Sequence, residues 1–376
     1  MPAACRRSRR ACCWTCCCAP APTVPPSPRH STAPAEPAYD SRPHVASSVP
    51  RRRRFMHRRS LLAGVAMAGL APVSVRAQAF PSKQIRILVG FAPGGGGDTV
   101  GRILAQEIGR DGGPSVLVDN KPGAGGNVAT RELIRSPADG YTVMLANVGV
   151  LAVNPYAMKS AGYDPQTDLA PVSMAVEFAN VLVVHPSVPA RTLAEYLDLA
   201  KRPEGMTYGS SGIGSAGHLG GELLRAMSGA KLTHAPYRGG GPAMNDLIAG
   251  HVPSLIASAP TATGFMREGR IRSLAVTSAR RSPYDPDVPT IAELGFAGYD
   301  ATNWYALVAP AGTPPPIVAA LNRLFVKALR AAEVREALAR QGIESVPSTP
   351  DELAARIARE SATWKKVVTD AGIRIE

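Results

Sequence analysis

From Gln84 onward the apolar positions switch repeatedly between two spacings. QIRILVGF (84–91) is an apolar, β-branched run that predicts a strand, and DTVGRILAQEIGR (98–110) repeats apolar residues at helical intervals. The same reading predicts a strand at 115–118, a helix at 127–135 and a strand at 141–146. It continues with a strand at 181–184, a helix at 193–201, a strand at 206–208 and a helix at 215–228. Then follow a strand at 232–235, a helix at 242–248 and strands at 254–258 and 273–277. Short strands alternating with helices of this length predict largely parallel sheets covered by helices on both faces, an α/β protein.

The tail breaks the rhythm, because two helices stand together. Thr313 is the expected N-cap of a helix that has Pro314 at its first position and runs to about Arg330. Thr349-Pro350-Asp351-Glu352 is a capping box that opens the last helix, which ends near Ala371-Gly372. Two strand-and-helix groups followed by returning helices imply two lobes with a cleft between them. Residues 80–180 plus 304–376 are expected to form lobe 1 and residues 181–303 lobe 2.

Charge and cysteine change the picture through their distribution. The 376 residues hold 42 Lys and Arg against 29 Asp and Glu, a net charge of +13, together with 6 Cys. Residues 1–77 carry 13 Arg against only Glu36 and Asp40, which leaves 29 basic and 27 acidic residues in the rest. All the cysteines lie between Cys5 and Cys18. A nucleic-acid-binding domain, a disulfide scaffold and a cysteine or zinc centre are therefore not expected in the remainder.

Residues 56–79 read as a signal peptide. His57-Arg58-Arg59 is its charged segment, Leu61 to Leu70 its short apolar segment, and small residues precede cuts after Ala77 or Ala79. The paired arginine fits an ordinary Sec signal, with a twin-arginine signal as the alternative. Residues 1–55, rich in Pro, Arg, Ser and clustered Cys, have no apolar periodicity and are expected to be disordered. Met56 is the expected true start, with 1–55 a spurious upstream extension; a genuine long leader is the alternative.

Three strand-to-helix junctions are crowded with glycine: FAPGGGGD (91–98), NKPGAGGN (120–127) and YGSSGIGSAGH (208–218). Such a junction exposes unpaired backbone N–H groups at a helix N-terminus, where a carboxylate or phosphate is held without Lys or Arg. The hydroxyls of Ser210, Ser211 and Ser215 add donors. Gly212 to Gly217 also fits G-x-G-x-x-G, but the acidic residue a dinucleotide site needs about 20 positions later is missing, and Tyr237-Arg238 stand at the end of the next strand.

No G-x-S-x-G elbow surrounds the serines, and His185, His218, His234 and His251 lack zinc-site spacing. His218 either orients the serine loop or contacts a ligand. Arg238 reads as a loop anchor, and Asp98 as a brace for the first glycine loop at its helix N-terminus. No catalytic residue, metal or cofactor is expected.

The segments PSKQIRILVGFAPGGGGDTVGRILA, VDNKPGAGGNVA, DGYTVMLAN, YGSSGIGSAGHLGGELL and HAPYRGGGPAMNDLIAG, with LAVTSARRSPYDPDVPTIAELG and APAGTPPPIVAALN, resemble the substrate-binding receptors of tripartite tricarboxylate transporters, the Bug family. That resemblance covers about four-fifths of the chain. It implies a two-lobed, periplasmic-binding-protein-like (Venus flytrap) receptor in the periplasm. Such a receptor captures a small organic carboxylate and hands it to membrane permease subunits.

The resemblance puts Gly94, Gly95, Gly96, Gly97 and Asp98 on one side of the ligand and the loop from Gly209 to Ser215, with Ser210, Ser211, Gly212, Gly214 and Ser215, on the other; His218, in the first turn after that loop, is added from its position. Asn147, Tyr237, Asn303 and Trp304 join them because they follow strand ends or lie near the second lobe crossing. A monomer without nucleic-acid partners is expected. Gly97 stands where relatives usually carry Thr or Ser, and Ala257-Ser258 where many carry Asp-Asn. The missing carboxylate tilts the expected ligand from amino acids toward plain or aromatic carboxylates. A hydrolase of carboxylate esters using the same cleft, or a sensor feeding a signalling partner, are the alternatives.

Overall fold

The structure is a computed structural model and describes residues 80–370. The upstream extension and signal peptide expected in 1–79 lie outside the described residues. In chain order the strands are β1 (Ile85–Val89), β2 (Val116–Asn120), β3 (Thr142–Asn147), β4 (Leu169–Phe178), β5 (Asn180–Val184), β6 (Met206–Ser210), β7 (Leu232–Pro236), β8 (Ser254–Ser258), β9 (Arg272–Val276), β10 (Asn303–Pro310) and β11 (Glu344–Ser345). The helices are α1 (Gly96–Arg110), α2 (Asn127–Arg135), α3 (Asn154–Ala157), α4 (Leu193–Ala200), α5 (Ala216–Ser228), α6 (Gly240–Ile248), α7 (Ala259–Arg267), α8 (Pro315–Arg330), α9 (Ala332–Ala339) and α10 (Pro350–Asp370).

Two sheets result. The first has the order β11-β4-β10-β3-β1-β2 and the second β7-β6-β8-β5-β9. Both are mixed: β1, β2 and β3 pair in parallel, as do β7, β6 and β8, whereas β10 runs antiparallel to β3 and β4, and β5 antiparallel to β8 and β9. The edge strand β11 is also antiparallel to β4, and the two reversed inner strands, β5 and β10, are the ones by which the chain enters a sheet from the other. It leaves the first sheet after Phe178 and enters the second at Asn180, then returns from β9 into β10 at Asn303. A strand that begins at the junction of two sheets runs opposite to neighbours that end there, so each of the expected parallel sheets acquires one inner antiparallel strand, β10 in the first and β5 in the second.

Burial explains the pairing. Every residue of β5 and of β10 is buried, as suits central strands covered on both faces. One core cluster runs through both sheets, including Met144 and Trp304 from the first, Leu182 and Tyr208 from the second, and Trp364 of α10. A second cluster packs α1, α8 and α9 on the first sheet around Leu104, Phe325 and Leu338, and a third packs α6 and α7 on the second.

Of the two helix starts expected in the tail, one is capped as predicted and one is not. Thr349 and Glu352 form the expected capping box, the Thr349 N–H donating to Glu352 Oε2 at 2.8 Å and the Glu352 N–H to Thr349 Oγ1 at 3.2 Å. Thr313 does not cap α8; Pro314 holds that position, and the Thr313 hydroxyl donates to the Pro310 carbonyl at 2.7 Å. Pro314, Pro315 and Pro316 follow it and carry no N–H for the hydroxyl to accept. Among the described residues no helix is long and apolar enough to cross a membrane.

Candidate functional site

Four helix N-termini converge where the two sheets meet. α1 begins at Gly96, α5 at Ala216 and α6 at Gly240, while Ser258 is the N-cap of α7. Gly95, Gly96, Gly97, Ser215, Ala216, Gly217, Gly240 and Ser258 all line one cavity, together with Ser211, Phe91, Asn147, Asn180, Asn303, Ile256 and Tyr305. No charged side chain lines it. Its positive character comes from helix ends alone, each equivalent to roughly half an elementary charge. The cavity measures about 20 Å³, room for about one water molecule, so a ligand with a carbon chain is admitted only when the sheets part.

Two larger grooves lie elsewhere. One of about 970 Å³ runs beside α8 and the end of α1, and one of about 680 Å³ lies along α10 and the 278–284 loop. The first takes in the starts of α9 and α10 but also carries the carboxylates of Glu107, Asp111 and Glu352, and the second gathers no helix N-terminus, so the small cavity between the sheets, free of charged side chains, is the candidate site.

Backbone approaches hold the two sides together, and glycine makes them close. The Ala92 N–H donates to the Arg238 carbonyl at 3.0 Å, joining the first glycine loop to the segment before α6. A Cβ on Gly96 would stand 3.0 Å from Pro260 and 3.1 Å from the Tyr305 hydroxyl. The second glycine loop and the segment after β3 meet the serine-glycine loop instead: a Cβ on Gly125 or Gly149 would overlap the carbonyl oxygens of Ile213 or Gly214. Gly125 also has φ +64°, which favours glycine.

The residues singled out by sequence divide into two groups. Gly95, Gly96, Gly97, Asn147, Ser211, Ser215 and Asn303 line the cavity. Gly94, Asp98, Ser210, Gly212, Gly214, His218, Tyr237 and Trp304 do not, and the structure gives most of them other work. Asp98 accepts from the Gly94 N–H and from Arg102 Nε, each at 3.0 Å. Burial by itself raises the Asp98 pKa, but the bonds from Arg102 and Gly94 outweigh it and hold the carboxyl below its ordinary value.

Tyr237 donates to Asp246 Oδ2 at 2.9 Å, and burial together with that carboxylate pushes its phenol up to about 12. Trp304 is fully buried on the opposite face of β10 from Asn303 and Tyr305, because successive strand residues point to opposite sides. The same alternation along β8 puts Ser258 in the cavity and Ala257 in the core.

Ser210 is fully buried and is held from several directions. Its Oγ lies 2.7 Å from His234 Nε2, donates to the Gly212 carbonyl at 3.1 Å, and accepts from the Gly212 N–H and the Ser215 hydroxyl. His218 accepts the Gly214 N–H on Nδ1 at 3.2 Å, and its ring stacks on His234. A serine 2.7 Å from a histidine has the spacing of a nucleophile and its base. Here the hydroxyl is sealed from the cavity and folds the loop on which Ser211 and Ser215 are presented.

Sequence reasoning missed Asn180, Ser258, Tyr305, Gly240 and His234. Asn180 had one usable signal, a lone amide opening the apolar strand NVLVV. His234 had none, since it reaches Ser210 only through the parallel pairing of β6 with β7. Among the described residues no group of three or more His, Cys, Asp or Glu could hold a metal ion.

Comparison with known proteins agrees with this architecture. The sequence profile described as "Tripartite tricarboxylate transporter family receptor" matches residues 100–373. Protein BugT of Bordetella pertussis is 39% identical over 315 residues, covering 83% of this chain and 96% of that protein.

Among solved structures, R. palustris Rpa4515 with adipate is 36% identical with a TM-score of 0.75, covering 78% of this chain and 99% of that one. The periplasmic binding protein BugD is 31% identical with a TM-score of 0.76, covering 79% of this chain and 100% of its own. MatC (Rpa3494) from Rhodopseudomonas palustris with bound malate is 30% identical with a TM-score of 0.73, covering 77% and 100%. This chain therefore belongs to the receptors of the tripartite tricarboxylate transporter family, two-lobed solute-binding proteins.

Proposed function

We propose that the protein captures a small organic carboxylate between its two lobes and delivers it to the membrane permease of a tripartite tricarboxylate transporter, acting as a monomer in the periplasm and not as an enzyme. The observation that carries this reading is the convergence of four helix N-termini on a cavity without a charged side chain. Oriented N–H groups in a water-poor site stabilise an anion. An ester hydrolase would need a reachable nucleophile beside its base, and Ser210, the serine bonded to His234, is buried.

Among the described residues the lobes are 80–180 with 304–370, and 181–303. They hinge where β4 passes to β5 and β9 to β10. Gly95, Gly96 and Gly97 grip the ligand from lobe 1, and Ser211 and Ser215 from lobe 2, with Asn147 and Asn303 beside them. Asp98, Ser210, Gly212, Gly214 and His218 shape the two gripping loops. The adipate and malate bound by related receptors support a carboxylate ligand. The absence of a carboxylate among the lining side chains disfavours a ligand amine. The leader read from residues 56–79 supports export.

The test is thermal unfolding of the purified protein with malate, adipate, citrate, benzoate and phthalate. A ligand at 100 times its Kd stabilises the native state by about 2.7 kcal/mol, which raises the midpoint by several degrees. Absence of any shift across that panel rejects the reading, and turnover of a carboxylate ester that is lost in Ser211→Ala rejects its non-enzymatic part.

A further inference from the structure

Six buried side-chain polar atoms among the described residues have no hydrogen-bond partner, and two of them belong to residues that line the cavity: Asn180 Nδ2 and Asn303 Oδ1. Both residues are almost wholly buried, at 1% and 5% exposure. Their amides are joined by one hydrogen bond, Asn303 Nδ2 donating to Asn180 Oδ1 at 3.2 Å. Buried amide atoms are normally paired, since an unpaired one forfeits its bonds to water without replacement.

We infer that this asparagine pair selects carboxylate ligands whose second polar group is neutral and offers both a hydrogen-bond donor and an acceptor, a hydroxyl or a carboxamide. The inference rests on the carboxylate-capture reading above and narrows its ligand class. Two amides sharing one bond leave one Nδ2 and one Oδ1 free. Turning both amides over exchanges the residues but keeps the set, so the conclusion does not depend on which way they were assigned. A hydroxyl satisfies both atoms at once by accepting from Nδ2 and donating to Oδ1. A carboxamide does the same with its carbonyl and its NH₂. A second carboxylate offers acceptors only, and facing the free Oδ1 it would meet another acceptor.

Two other polar side chains around the cavity already have partners. Ser258 Oγ lies 2.8 Å from Thr261 Oγ1, and Asn147 Oδ1 accepts from the Val150 N–H at 3.3 Å. The position of the pair adds weight. Asn180 opens β5 and Asn303 opens β10, the strands by which the chain crosses between sheets. A group bound there touches both crossings at once. Sites built to bond a hydroxyl or amide discriminate strongly against analogues lacking it, because the buried partners are then stranded.

Calorimetric Kd values decide the matter on two matched series. One is butyrate, succinate, succinamate and 4-hydroxybutyrate; the other is hexanoate, adipate, adipamate and 6-hydroxyhexanoate. In at least one series the hydroxyl or amide compound should bind tenfold or more tighter than both the dicarboxylate and the plain acid. In Asn180→Leu that preference should fall to less than about threefold. Because the ratio is read on the unaltered protein, it stands even where the variant does not fold.

A dicarboxylate or plain acid that binds as well as the hydroxyl and amide compounds in both series overturns the selection and leaves carboxylate capture intact. Failure of all eight compounds to bind overturns the selection; carboxylate capture falls with it only where the thermal panel of malate, adipate, citrate, benzoate and phthalate also gives no shift.

Discussion

The imidazole rings of His218 and His234 stack face to face, centroids 3.8 Å apart and planes 13° from parallel, directly beneath the serine-glycine loop. The pair is a structural mount. His218 holds the Gly214 N–H, His234 holds Ser210 Oγ, and the loop that presents Ser211 and Ser215 is thereby anchored at both ends.

Both rings are kept neutral in the folded protein. Burial, with the Arg225 charge adding to it, lowers the His218 pKa from 6.5 to about 4. Burial, with His218 adding and Glu222 opposing, lowers that of His234 to about 3. A group whose folded pKa is depressed binds its proton more readily in the unfolded chain. Stability is therefore full above about pH 6.5 and is lost as the pH falls toward 4. Urea midpoints measured between pH 7 and pH 4.5 should decline, and His234→Phe, which keeps a ring in the stack, should decline less steeply. A wild-type midpoint that does not change over this range would dismiss the idea.

Asp98 sets a separate acid limit. Its carboxyl is held below the ordinary value of 3.8, so the stability it supplies is present above that value and is lost as the pH falls below it. Asp98→Asn keeps an acceptor for the Gly94 N–H but gives up the charge that Arg102 bonds. The expected cost is about 1–2 kcal/mol, the low end for hydrogen bonds to charged groups reduced by the solvent exposure of Arg102. The readout is the urea midpoint at pH 7, lowered with an unchanged slope, and an unshifted midpoint would show that the brace contributes nothing.

Gly149 tests the closure directly. It belongs to a π-helical segment, Gly149–Val153, and its Cα sits against the Gly214 carbonyl from the other sheet, so an added methyl has no room unless the lobes stay apart. Gly149→Ala is expected to weaken ligand binding tenfold or more and to leave a larger radius of gyration by X-ray scattering at saturating ligand. Unaltered affinity would mean that this contact is absent from the bound form.

These contacts also show where sequence stops being informative. The helix Asn127–Arg135 and the strand Ser254–Ser258 have the boundaries their local pattern predicts, because caps and periodicity are local. Strand β4, with Pro171 in its first half, carries no such pattern, and its pairing with β10 is fixed by tertiary burial. The candidate site divides the same way. Glycine at a helix start signals an anion-binding backbone from sequence alone. The face on which a strand residue emerges does not show without the register, so Asn303 and Trp304 looked equivalent while Tyr305 went unnoticed.

The adjacent serines make the sharpest test, because the strand end turns them to opposite duties. Ser210 Oγ serves His234, Gly212 and Ser215 in a sealed network, so Ser210→Ala strands buried partners and should cost about 1–3 kcal/mol of stability. Ser211 is half-buried and lines the cavity, so Ser211→Ala should shift stability by no more than about 0.5 kcal/mol. Its effect belongs to the ligand: losing one hydrogen bond worth about 0.5–1.5 kcal/mol weakens binding roughly two- to tenfold. Urea midpoints and calorimetric Kd values for both variants separate the duties. If the two substitutions act alike on both measures, the division between a mounting serine and a presenting serine is wrong, and the cavity assigned to the ligand is in doubt with it.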